Sequence, residues 1–128
     1  MAYESVISDD AYPTVLTDEN LMSIRANEVL RLADGDAPFH DLWESHVKSL
    51  SPKEKEAIHD FLIKEAYRFA KLRDNPEDLI QRIKDDGSGV RSLEDDVNWY
   101  DGHIARFKNG AEYLRKLPDF PKNNYRAK

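Results

Sequence analysis

The stretch SLEDDVNWYDGHIARFKNGAEYL, residues 92–114, decides the fold class of this chain. Its apolar positions Leu93, Val97, Tyr100, Ile104, Phe107, Ala111 and Leu114 fall at intervals of four, three, four, three, four and three. A half-buried strand places its apolar residues at every second position. This spacing instead holds one face of a helix apolar over three heptads, the period with which one helix lies along another at a shallow crossing angle. Ser92 supplies a start, because its hydroxyl accepts a hydrogen bond from an otherwise unpaired first-turn N–H. Glu94, Asp95 and Asp96 then sit at the positive end of the helix dipole. The stretch reads as one core helix of a bundle. A self-associating coiled coil through the same seam is the rival reading, and Gly102 and Gly110 count against it, since each costs about 1 kcal/mol relative to alanine in a helix interior. They lie near one face, where another element approaches closely or the helix bends or ends.

Three more start signals precede residue 92: Thr17-Asp-Glu-Asn20, Ser51-Pro-Lys-Glu54 and Asn75-Pro-Glu-Asp78. Each comes before an apolar pattern of helical period. The first predicts a helix from about Asp18 to Asp34, with Leu21, Met22, Val29, Leu32 and Ala33 inward and Gly35 as its left-handed terminator. A second helix, Phe39 to about Ser49, places Phe39, Leu42, Trp43, Val47 and Leu50 on one side. Ser51, Pro52 and Glu54 form a capping box with proline at the first helical position, opening a helix from Pro52 to about Arg73. Its inward face is Ile58, Phe61, Leu62, Ala66, Phe69 and Ala70. A short helix, Pro76 to Asp86, turns Leu79, Ile80 and Ile83 inward and stops at Gly87. The helix opened by Ser92 runs to Leu117, before Pro118. The expected fold is all-α: one domain, a compact bundle of about five helices, with an extended arm (1–16), a helical body (17–117) and a short irregular, basic tail (118–128).

Hydrophobic residues make up 40% of the 128 and charged residues 34%, enough apolar side chains for one core with heavily solvated outer faces. There is no cysteine, which excludes disulfides, thiolate metal sites and thiol catalysis and agrees with a cytoplasmic location. No basic, apolar leader opens the chain and no apolar run reaches membrane-spanning length, so no membrane association is expected. The net charge of -6 is unevenly spread: residues 1–36 carry eight acids and two bases, residues 37–102 fifteen and ten, and residues 103–128 two and seven. Acidity over most of the chain argues against nucleic-acid binding except through the basic end, because such binding neutralises phosphates with Lys and Arg. That end is also suited to an acidic partner or to the chain's own acidic head.

The histidines supply fragments of metal chemistry. Glu56 and His59 share a helical face in the Glu-x-x-His spacing of di-iron bundles, but a complete site needs a second such pair and further carboxylates. His40 and Glu44, four apart, lack further ligands at any recognisable spacing, and exposed ion pairs account for both sets. His40-Asp41 and His59-Asp60 share a dipeptide with metal-dependent phosphohydrolases, yet adjacent helical residues point about 100° apart and do not converge on one ion. His46 and His103 flank core stripes and read as helix-boundary residues. Gly87-Ser-Gly89 lacks the strand and the Lys-Ser/Thr of a phosphate loop. No cofactor is expected.

Phe39-His-Asp-Leu-Trp43-Glu44, with the later Trp99-Tyr100, resembles the helical N-terminal segment of nitrile hydratase β-type and accessory subunits over about twenty residues. The later aromatic segment departs from that family's pattern and Ser51-Pro52 interrupts it, so no residue role is carried over.

Three apolar features have no place in the helical stripes: the arm at Tyr3, Ile7 and Tyr12, the off-seam Trp99, and the tail at Phe120 and Tyr125. Aromatic side chains of this kind anchor protein interfaces, because they bury large area at low entropic cost. The expected function is a non-enzymatic helical interaction module with a protein partner: an accessory subunit, an inhibitor or an immunity-type protein. The alternative is a small helical enzyme or enzyme subunit using His and carboxylate, with iron or manganese at Glu56 and His59.

Overall fold

The computed structural model of the chain describes residues 14–87, 89 and 92–121; Tyr3, Ile7, Tyr12 and Tyr125 lie outside them. The described residues form five helices and no strand: α1 Glu19–Asp34, α2 His40–Lys48, α3 Pro52–Arg73, α4 Pro76–Asp86 and α5 Leu93–Arg115. None is long and apolar enough to cross a membrane.

The capping residues act as their chemistry dictates. Asp18 accepts from the N–H groups of Asn20 and Leu21, Asn75 from Asp78 and Ser92 from Asp95. Ser51 and Glu54 bond reciprocally, each side chain accepting from the other's backbone N–H, and Pro52 follows at the first helical position. α1 and α4 stop at Gly35 and Gly87, whose φ of 75° and 67° lie in the left-handed region that favours glycine.

α3 and α5 form the longest packing interface, and they run antiparallel. Arg73 near the end of α3 meets Asp101 early in α5 at 2.7 Å, while Lys55 at the start of α3 meets Asp119 beyond the end of α5 at 2.6 Å. α1 packs on the second half of α5, where Arg106 pairs with Asp34 at 2.7 Å. Of the α5 seam, Tyr100, Ile104, Ala111 and Leu114 are buried within the chain. These four positions are taken up by the chain's own helices, chiefly α3 and α1.

Gly110 explains how three helices come together. A Cβ built there would lie 3.0 Å from Leu30 Cδ2, 3.1 Å from Leu62 Cδ1 and 3.5 Å from Val29 Cγ1, so α1 and α3 approach where α5 has no side chain. Gly102 is the opposite case: it is exposed, and a Cβ there meets nothing within 4 Å. Gly102→Ala should therefore stabilise the fold by up to about 1 kcal/mol, read as a higher urea midpoint at constant slope.

Three expectations about burial need correction. On α2 only Val47 is buried, while Phe39 and Leu42 stand 61% and 55% exposed. Trp43 packs at the margin of the core beneath the Arg31 guanidinium, 5.5 Å from its ring centroid. A nine-residue helix resting mainly on α1 has a narrower inward stripe than its sequence pattern suggests. For the same reason Leu79 is buried on α4 while Ile80 is exposed. At the two ends, Val15 and Phe120 both join the main core, so that core reaches beyond residues 17–117 in each direction.

Candidate functional site

The four described histidines do not assemble a metal centre. His40 lies 3.7 Å from Asp41, and Glu44 pairs with Lys48 at 3.7 Å, so the i,i+4 pair is directed to separate partners. Among the described residues no group of three or more His, Asp or Glu side chains is placed to hold a metal ion.

His59 departs furthest from expectation. It is 2% exposed rather than a surface ion-pair residue, with its ring 5.2 Å from that of Phe120. A guanidinium can only donate, so Arg115 Nη1 at 2.8 Å makes His59 Nε2 the acceptor. The ring proton then sits on Nδ1 and is donated to Asp60 Oδ1 at 3.0 Å. Phe120, expected on a binding surface, is 3% exposed and closes over this imidazole.

Lys55 is a second buried group that periodicity missed, at 2% exposure. Its ammonium donates to both carboxylate oxygens of Asp119, at 2.6 and 2.7 Å, and to the Lys48 carbonyl at 3.2 Å. Glu28 is buried too, held by Arg25 at 2.8 Å and by His46 Nδ1 at 3.1 Å. Both clusters tie chain segments together, and in each the charge is paired, as burial requires.

The Lys55 hydrogen bonds hold the Asp119 carboxyl below its ordinary pKa. A depressed carboxylate pKa contributes stability above the unfolded value of about 3.9 and loses it as pH falls through the folded value. Asp119→Asn should thus lower the melting temperature at neutral pH, with the gap to wild type closing in acid. A gap that stayed constant down to pH 2 would show that the carboxylate charge is not the cause. Lys55→Met should be milder, because the half-exposed Asp119 remains solvated, whereas Asp119→Asn leaves an ammonium buried.

Trp99 combines exposure with close ring contacts. It is 54% exposed, yet it stacks on Phe69 at 5.9 Å and 21°, meets Tyr100 edge-on at 5.1 Å and lies 4.3 Å from the His103 ring. Phe69 is in turn braced edge-to-face by Phe107 at 5.0 Å, and the Arg68 guanidinium covers it at 5.0 Å. Glu65, which accepts from that guanidinium, raises its pKa. Arg73 bridges Asp74 and Asp101 and locks the end of α3 to α5 beside this cluster. Sequence reasoning singled out Trp99 because it lies off the seam. It did not reveal Phe69, the bracing ring that comes from α3.

Two clefts flank this pair of helices. A shallow groove of about 220 Å³ runs between Ile63 and Tyr67 of α3 and Ile104 of α5. A larger one, about 430 Å³, is lined by Trp99, Tyr100, Asp95, Asp96 and Arg82. Phe39, the residue before α2, is also exposed, but among the described residues its ring has only Trp43 beside it, at 6.0 Å. No family model matches the chain, and neither does any curated protein or solved structure, so the likeness of Phe39–Glu44 to a nitrile hydratase segment carries no family assignment.

Proposed function

We propose that the protein is a non-enzymatic helical interaction module, acting as an accessory subunit, inhibitor or immunity-type partner, and that Trp99 is the centre of its interface. The observation that carries this reading is the pairing of exposure with bracing at Trp99. An exposed indole held by Phe69, Tyr100 and His103 has already lost its rotamer freedom, so a partner gains its buried area at low further cost. Of the buried polar groups, His59, Lys55 and Glu28 are each paired with a neighbouring side chain, an arrangement suited to holding the fold. The cysteine-free composition fits a cytoplasmic setting.

The test is capture of the partner from the native source by wild-type protein and by Trp99→Ala, with quantitative mass spectrometry. The variant should melt close to wild type and bind about thirtyfold more weakly, equivalent to roughly 2 kcal/mol. Equal capture by both proteins would remove Trp99 from the interface.

A further inference from the structure

We infer that the cleft beside Trp99 receives a cationic side chain, arginine above all, from a basic segment of the partner protein. The inference rests on the reading of Trp99 as an interface residue and adds the chemistry of what binds there.

Charge is its first support. Residues 74–101, which span α4 and the first part of α5, carry nine acids and three bases, a net of -6, and the remaining residues carry sixteen of each. The whole net charge of the protein thus resides in the segment that bears Trp99. A field of that sign attracts a basic partner and repels nucleic acid.

The cleft itself is the second support. Trp99 and Tyr100 meet at 86°, so their rings form two walls of a corner rather than one flat patch. Among the described lining residues the cation is Arg82, and it is committed: its Nη1 donates to the Tyr100 hydroxyl at 2.8 Å and its Nε pairs with Asp78 at 3.3 Å. Asp95 lines the same cleft, and its carboxylate has no hydrogen bond or ion pair among the described residues. A guanidinium entering here meets an indole face, over which it is attracted by the ring quadrupole, and an unengaged carboxylate, to which it donates through two N–H groups. Lysine supplies the charge but neither the planar stacking nor the fork.

The experiment uses the full chain labelled with 15N and follows its two indole N–H signals, Trp43 and Trp99. The probe is the amidated peptide Gly-Arg repeated four times, and the control is the same peptide with citrulline, which keeps the shape and removes the charge. The arginine peptide should shift the Trp99 signal saturably, leave Trp43 in place, and bind more tightly than the citrulline peptide. Asp95→Asn should weaken binding about fivefold, read from the Trp99 signal, and Trp99→Leu about tenfold, read by isothermal titration calorimetry. Glu94→Gln, which removes the same charge from the same turn outside the cleft, should change it less than twofold. Folding of every variant is checked by thermal melting.

Equal losses in Asp95→Asn and Glu94→Gln would reduce the effect to the field alone and overturn the cleft. Equal binding of the citrulline peptide would overturn the cationic ligand. If native partner capture depends on Trp99 but the arginine peptide leaves its signal unmoved, the basic segment is wrong and the interface stands. If the peptide binds as expected while Trp99→Ala captures partner normally, the cleft stands and the wider reading of Trp99 falls.

Discussion

Phe120→Ala should cost about 3–5 kcal/mol, the range for removing a buried aromatic side chain. A domain of this size has about 5–15 kcal/mol of total stability, so one substitution removes a large share of it. The phenyl ring is buried in the main core against the His59 imidazole, five residues beyond the end of α5. Its removal opens a cavity beside a histidine whose two ring nitrogens are engaged by Arg115 and Asp60. Those contacts hold the imidazole in place and limit collapse around the vacancy. Equilibrium urea unfolding measures the effect directly. A chain ending at Pro118 should fare no better, since it also lacks the Asp119 carboxylate that accompanies the buried Lys55 ammonium. Wild-type stability in Phe120→Ala would return that ring to the surface.

Gly110→Leu should be the other severe substitution, costing about 3 kcal/mol or more. Leucine is the better helix former by close to 1 kcal/mol, which on its own predicts stabilisation. The space decides otherwise. Even the first added carbon would lie within 3.0–3.5 Å of Leu30, Leu62 and Val29, and Leu62 and Val29 are fully buried with no solvent to move into. Three further carbons force α1 or α3 away from α5, and overpacking of this extent outweighs helix propensity. Gly110→Ala should fall between the two, and adding Leu62→Val to it should recover part of the loss by making room. Additive destabilisation in that double variant would mean that Leu62 and Gly110 do not share the contact. The contrast with Gly102→Ala, expected to stabilise, places both signs on one helix.

Helix limits could be read from the chain because the groups that set them lie within a few residues of one another. α3 and α4 begin and end at the residues expected, Pro52–Arg73 and Pro76–Asp86. Ser51, Asn75 and Ser92 each satisfy an N–H three residues ahead, and Gly35 and Gly87 adopt the backbone conformation for which they were singled out. The seam of α5 likewise follows from spacing alone, and with it the all-α class. For the candidate site, the sequence marked Trp99 as an aromatic outside that seam. It gave no sign of Phe69 beneath it or of a cleft with Asp95 at its side.

Burial was decided by the tertiary structure. Phe39 and Leu42 follow a helical stripe as regular as that of α3, yet they face water because α2 rests mainly on α1. Lys55 and His59 sit among charged residues in sequence and are buried, because Asp119 reaches the first from 64 positions away and Arg115 the second from 56. A cap is a bond between near neighbours, so its partners are written side by side in the chain. Burial depends on which distant segment arrives to exclude water, and periodicity carries no record of that arrival.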